Sequence, residues 1–315
     1  MFYVRVMTLF VAMAAVAGTG NGQVAIIQRK IGRVVDPNAQ QTDKSALSSA
    51  KLKADDPDGL VAYFKQRTLT DAELTKIKAV ISRMGSESFE DREKASADVL
   101  GFGPAAIGPL KTAARAETDP EVNYRAEQAR KKIETVSHTA VAIAAARALA
   151  QSKHKHPQAV PALLGFLLLA DDESVVEEID KALVKLADDG GKPDPALLAA
   201  LTDKRPIRRA AAVEALLDGG DRTKPVRFPD AIGPVKAALA SDTDAEVKFR
   251  GLYLLLTRVK DKDAVEGMIQ LLPTLPRGRY WQADDYLTQL AGKDSPKARF
   301  GKSKESQQKA LAEWV

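Results

Sequence analysis

The 315-residue chain contains no cysteine. That excludes a disulfide framework, thiol catalysis, cysteine metal sites and lipid attachment through a cysteine. Histidines number three, His138, His154 and His156. The last two share a turn-like stretch without a nearby third ligand and read as solvated loop residues, so no metal is expected. Aromatic residues make up only 5%, with two tryptophans. Neither sign of charge dominates, since 47 Lys and Arg face 42 Asp and Glu for a formal net charge of +5. That balance points only weakly to an anionic partner.

Signatures of chemistry are missing as well. There is no phosphate loop, no Gly-x-Ser-x-Gly and no His-Glu-x-x-His. "GFGPAA" (Gly101 to Ala106) resembles a dinucleotide fingerprint only superficially, because both flanks read as helix where a strand is required. Its glycines fit the end of one helix and Pro104 the start of the next. Acidic clusters such as "DDPDG" (Asp55 to Gly59), Asp171-Asp172-Glu173, Asp188-Asp189 and Asp284-Asp285 lack calcium-loop spacing. They stand at helix starts, helix ends or solvent faces, where acids cap or stay hydrated. No catalytic residue and no cofactor is expected.

What is present begins with an export signal. One positive charge, Arg5, precedes an uncharged run from Val6 to Ala17. The run is shorter than the roughly 20 residues of a membrane span. Ala15-Val16-Ala17 fits a small-x-small cleavage pattern, so the expected cut follows Ala17, with one nearer Gln23 as the alternative. An uncleaved anchor or a buried N-terminal helix is the competing reading. No other run is apolar enough to cross a bilayer, so an exported mature chain, periplasmic or extracellular, is expected to have no membrane span. Residues 18–57 are polar and turn-rich and read as a flexible leader.

Beyond the leader, 3.6-residue periodicity runs to the end and alternating strand patterns are absent. "TDAELTKIKAVISRM" opens with the capping candidates Thr70 and Asp71 and sets Leu74, Ile77 and Met84 on one stripe. "DDESVVEEIDKALVKLADDGG" sets Ile179, Leu183 and Leu186 on another, with Asp172 as cap and Gly190 and Gly191 as terminators. Expected helices are 71–84, 88–101, 104–116, 120–136, 139–152, 157–170, 173–188, 194–202, 205–218, 229–240, 244–259, 262–273, 279–291 and 304–315. One of them, 139–152, lacks a mate: it is either separate or a continuation of 120–136 past a kink.

A hexapeptide recurs. "AIGPLK" (Ala106 to Lys111) returns as "AIGPVK" (Ala231 to Lys236). In each copy the Pro stands ten residues before an Asp, and the Asp six before an Arg: Pro109, Asp119 and Arg125, then Pro234, Asp244 and Arg250. Asp203 and Arg209 repeat the second spacing, while Pro161 and Asp172 are followed by Glu178 where the Arg would fall. Asp at an N-cap satisfies free N–H groups and contributes about 1 kcal/mol. The small residue after the Arg lets helices approach closely. One helix pair cannot bury its apolar stripe alone, so neighbours must stack.

This Pro…Asp-x-x-Val-x-x-Arg grammar resembles HEAT repeats, over roughly Gly59 to Gly292. The resemblance implies an all-α fold, an α-solenoid in which antiparallel helix pairs form a right-handed superhelix. With the signal peptide read at 1–17 and the leader at 18–57, it leaves a third part, a solenoid at 58–315 with a C-terminal capping helix. It also implies a ladder between adjacent repeats, built from Asp119 with Arg125, Asp203 with Arg209, and Asp244 with Arg250.

Two surface features remain. Lys204, Arg205 and Arg208 crowd one turn, and Arg222, Lys224 and Arg227 follow in a long loop. Sharing one rim, they would bind anions, although acids are nearly as numerous. Lys293, Lys297, Arg299, Lys302 and Lys304 form a later basic segment. Tyr280, Trp281 and Tyr286 gather on one late helix, a partner hot spot if exposed and a plug for the C-terminal end of the array if buried; Trp281 and Trp314 read as the plug. The expected function is a non-enzymatic scaffold for a protein partner in the cell envelope. The alternative is a module binding a polyanion such as an acidic polysaccharide, anionic lipid or nucleic acid. N-terminal sequencing of the protein recovered from cells should read from Gly18; a chain beginning at Met1 would contradict the export signal.

Overall fold

The computed structural model describes residues 37–116, 119–134, 138–168, 170, 172–220, 226–296, 305, 309 and 312–314. The expected signal peptide, the expected leader up to residue 36 and most of the expected helix 304–315 lie outside these residues. So do Arg222, Lys224, Lys297, Arg299, Lys302 and Lys304. Two compact units divide the chain, one holding residues 37–264 and the other containing the described residues from Val265 on.

Among its described residues, the regular structure of the first unit is helical apart from one two-residue strand pair. Its elements are α1 (Pro37–Ser49), α2 (Pro57–Lys65), α3 (Asp71–Ser82), α4 (Phe89–Asp98), α5 (Ile107–Arg115), α6 (Pro120–Ile133) and α7 (His138–Gln151). There follow α8 (Ala159–Phe166), α9 (Glu173–Leu186), α10 (Pro195–Ala200), α11 (Pro206–Leu217), α12 (Ile232–Ser241) and α13 (Ala245–Leu254). Helices start where the sequence supplies an acceptor. Thr70 and Glu73 form a full capping box on α3, and Asp56, Asp119, Asp172, Asp194 and Asp244 cap α2, α6, α9, α10 and α13. Gly190 and Gly191 do more than end α9. At φ 65° and 86° they make the tight turn of an antiparallel pair, β1 (Asp188–Asp189) and β2 (Lys192–Pro193).

α7, α9, α11 and α13 pack in succession, each on the next, as a continuous row. α8, α10 and α12 pack beside α9, α11 and α13 as their mates. This repetition of stacked helix pairs is an α-solenoid. Gly251, the residue after Arg250, shows how closely partners approach: a Cβ there would fall 2.4 Å from Leu239 Cδ1 of α12.

α7 is neither unpaired nor a continuation of α6. Glu134 leaves the helix with φ −85° and ψ 90°, and α7 starts anew at His138. Its mate is α2, which packs against both α7 and α8. α1 packs on α7 ahead of the row, with Leu47 buried and Arg147 of α7 bonded to Asp43. The polar stretch expected to be a leader therefore contains a helix from residue 37 on. Tertiary contact rather than an apolar stripe accounts for α1, since its sequence offers few apolar residues.

It follows that α3–α6 stand between the two members of one repeat. These four helices enclose a core of their own, centred on Ile77, Met84, Val99, Leu110 and Ala126. The first copy of the hexapeptide opens α5 in this insert, and the second opens α12 in the row.

In the second unit, which takes up α14 (Ala264–Leu271) from its second residue on, that helix leads through a short turn to α15 (Arg277–Ala291), which packs on that turn. Tyr280 and Leu287 are buried. Trp281, expected to plug the end of the array, is instead 51% exposed. It lies one residue, hence about 100° of helix, from buried Tyr280.

Candidate functional site

The ladder residues come first, because they set the frame of any binding surface. Asp119 and Asp244 act as N-caps, and each accepts hydrogen bonds from the second and third N–H groups after it. Their carboxylates are thereby used locally. The guanidinium groups six residues on reach other helices. Arg125 donates to Glu121 at 2.6 Å and, across to α4, to Glu93 at 2.8 Å and Ser96 at 3.2 Å. Asp203 takes Arg209 only through its backbone oxygen, while its carboxylate accepts from Arg208 and from the Arg205 N–H.

The Arg209 guanidinium instead forks onto Asp242, in the turn between α12 and α13, at 2.6 and 2.8 Å. That carboxylate is only 2% exposed. Burial works against its charge, yet the Arg209 fork and backbone N–H groups hold it below the usual carboxylate range. Breaking such a buried pair from one side costs about 3–5 kcal/mol. Of the ladder residues expected between adjacent repeats, Arg125, Arg209 and Arg250 do reach other helices, and the side chains they meet there are Glu93, Asp242, Asp180 and Glu214 rather than the carboxylates of Asp119, Asp203 and Asp244. A carboxylate engaged in capping presents its oxygens to its own helix start, which leaves the Arg to reach a neighbouring unit.

Arg250 shows the same rule on a larger scale. It donates to Glu246 on α13, Glu214 on α11 and Asp180 on α9, at 2.8, 2.8 and 2.9 Å. Three units are joined through one side chain. Burial works against its charge, but Asp180, Glu246 and Glu214 outweigh that and hold its pKa above the ordinary guanidinium value. Burial pushes the carboxyl groups of Asp180 and Glu214 upward, and each raises the other or is raised by nearby acids. Glu178, the apparent departure from the repeat pattern, accepts from Arg147 of α7 at 3.0 Å. The rung is kept with donor and acceptor exchanged.

Three of the six basic residues come together. Lys204, Arg205 and Arg208 line an open cleft of about 470 Å³ with Lys65, Thr68, Leu69, Thr70, Asp71, Pro161, Ala162 and Leu168. Arg227 does not line it. It bonds Asp188 at 2.6 Å beside the small hairpin and lies over the Phe228 ring. The cleft forms where the chain leaves α2 for the insert, against α8 and the turn before α11. Close packing shapes its wall, since a Cβ on Gly165 of α8 would meet Thr68 at 2.9 Å.

Electrostatically, the cleft is cationic at its rim and apolar between. Arg208 is fixed by the Leu164 carbonyl at 2.9 Å, the Gly165 carbonyl at 3.4 Å and Asp203 at 3.1 Å. Lys204 and Arg205 both pair with Asp71 at the start of α3. The rim cations are therefore matched by acids rather than displayed as an open basic field. His156, expected to be a solvated loop residue, bonds Asp58 of α2 at 2.9 Å and accepts from the Gln158 N–H. Among the described residues, no group of His, Asp and Glu is arranged to hold a metal ion.

Two exposed aromatics escaped the sequence reading: Phe89 of α4 (61% exposed) and Tyr124 of α6 (64%). Each sits one turn from a partner in the Arg92–Glu121 contact that joins those helices. Periodicity alone places an aromatic residue on a face, but it does not reveal whether another element covers that face.

A family model described as HEAT repeats matches residues 130–217, from the end of α6 through α11. No curated protein and no solved structure matches the chain.

The raised carboxyl of Glu214 gives a signed pH dependence. An acid whose folded pKa lies above its unfolded value lowers stability as pH rises from about 4.5 through the folded value, and has no effect below both. Glu214→Gln should therefore gain in thermal stability relative to the parent protein as pH rises from about 4 to 8. A difference between the two proteins that stays constant or moves the other way over that range would contradict this placement of the charge.

Proposed function

Because the chain belongs to the HEAT-repeat family, we propose that it is a non-enzymatic scaffold of the cell envelope that holds a protein partner. HEAT repeats are commonly protein-interaction scaffolds and typically non-catalytic. The cleft at the α2–α3 link carries the reading to a place. It combines an apolar wall of Leu69, Pro161, Ala162 and Leu168 with a few fixed polar groups, the composition that favours specific contact over general adhesion. The cross-unit guanidinium bonds support it, because they hold α11, which borders the cleft, in register with α13 and the turn before it ahead of any partner.

Placement in the envelope rests on Arg5, the uncharged run that follows and Ala15-Val16-Ala17. The polyanion alternative draws less support: of its six cations Lys204, Arg205 and Arg208 share the cleft, Arg227 stands apart on Asp188, and Arg222 and Lys224 lie outside the described residues.

A photo-crosslinking residue placed at Leu168 or at Lys65, within the cleft, should yield a discrete protein adduct on irradiation of intact cells. The same residue at Lys181, on the exposed face of α9, should not. Absence of an adduct from both cleft positions would contradict the scaffold reading.

A further inference from the structure

We propose that the cleft is a recognition site for a carboxylate flanked by apolar side chains on a partner segment, and that Asp71 fills it as an internal stand-in which restrains binding. This rests on the scaffold reading above and adds to it the chemistry of the partner and a means of control.

Four cations line the cleft, Lys65, Lys204, Arg205 and Arg208, and Asp71 is the only acid among the lining residues. Two of the cations are already anchored elsewhere. Arg208 is held by two backbone carbonyls and Asp203, and Lys65 by Gln158 at 3.1 Å. The other two, Lys204 and Arg205, converge on the Asp71 carboxylate across 134 residues of sequence. The molecule thus displays how this pair receives a carboxylate: an ammonium and a guanidinium share one acid at the mouth.

The occupant is weakly held. The side chains of Asp71 and Lys204 are 46% and 69% exposed, so water and salt screen the contact. Nor does α3 depend on it, because Thr70 and Glu73 cap that helix without help from Asp71. A carboxylate brought by a partner can therefore replace Asp71 at little cost to the fold. Behind the mouth, half-buried Pro161 and Leu168, backed by buried Leu69 and Ala162, keep apolar surface that Asp71, at the first position of its helix, leaves uncovered. An incoming segment gains that apolar contact as well as the ion pair, and this difference drives the exchange. Walls of this kind favour a peptide over a sugar polymer, and the volume suits a few side chains.

The test is fluorescence anisotropy on the full chain with a labelled peptide LDLLD, its neutral counterpart LNLLN, and LNLLN with a free C-terminal carboxylate. We expect LDLLD to bind at least tenfold tighter than amidated LNLLN. Comparable binding of the free-acid LNLLN would assign the carboxylate to a chain terminus, and weaker binding would assign it to a side chain; both support the site. Asp71→Asn should tighten LDLLD by about three- to tenfold with the melting curve little changed, whereas Lys204→Ala with Arg205→Ala should weaken it at least tenfold. A merely structural Asp71 would not produce tighter binding. Unchanged or weaker binding in Asp71→Asn, or no binding by either protein, overturns the proposal. So does equal competition by heparin oligosaccharide or phosphatidylglycerol vesicles, which would make the cleft a general polyanion site. Crosslinks at Leu168 without any gain in Asp71→Asn would sink the stand-in alone and leave the scaffold reading intact.

Discussion

A helix pair with one apolar face has nowhere to bury that face except against the next pair. Everything in residues 37–264 answers to this constraint. The row α7, α9, α11, α13 satisfies it by repetition, and α2 satisfies it at the near end by joining α7 across the intervening insert. Burial alone would leave the register between pairs loosely defined. Guanidinium groups supply the definition, because each fork or shared donor meets its acids in one geometry. Arg147 ties α7 to α1 and α9, Arg209 ties α11 to the α12–α13 turn, and Arg250 ties α13 to α11 and α9.

This division of labour gives the row both stability and specificity of arrangement. The bonds to Asp180 and Asp242 are buried, so their worth lies more in fixing position than in net stabilisation. A rigid row in turn allows the mobile chemistry to be placed at one joint, where the chain turns from α2 into α3. There the exposed Asp71 contact can exchange while the buried contacts behind it stay in place.

Much of this was legible in the sequence. The Asp–Arg spacing located α6 and α13 and their caps, and the heptad-like steps of Ile179, Leu183 and Leu186 located α9. Partner choice was not legible. Arg125, Arg209 and Arg250 lie one or two turns from their Asp in sequence, but the acids they meet, such as Glu93, Asp242 and Asp180, depend on packing between units. α1 was hidden because only Leu47 of its residues is strongly apolar and buried, so periodicity gave no signal. The mate of α7 was hidden for a different reason. Sequence order places α6 before it, whereas space places α2 there. Of the basic residues, Lys204, Arg205 and Arg208 did converge, but Asp71 that meets them lies far away in the chain and only folding brings it near.

The pairing of α2 with α7 across the insert is the claim on which the architecture turns, and native-state hydrogen exchange in rising denaturant tests it directly. Amides of Leu60 and Phe64 should lose protection together with those of Ala145 and Leu149, while those of Ile77 and Leu110 form a separate cooperative class. Exchange of Leu60 and Phe64 in step with Ile77 and Leu110, and independent of Ala145 and Leu149, would contradict it.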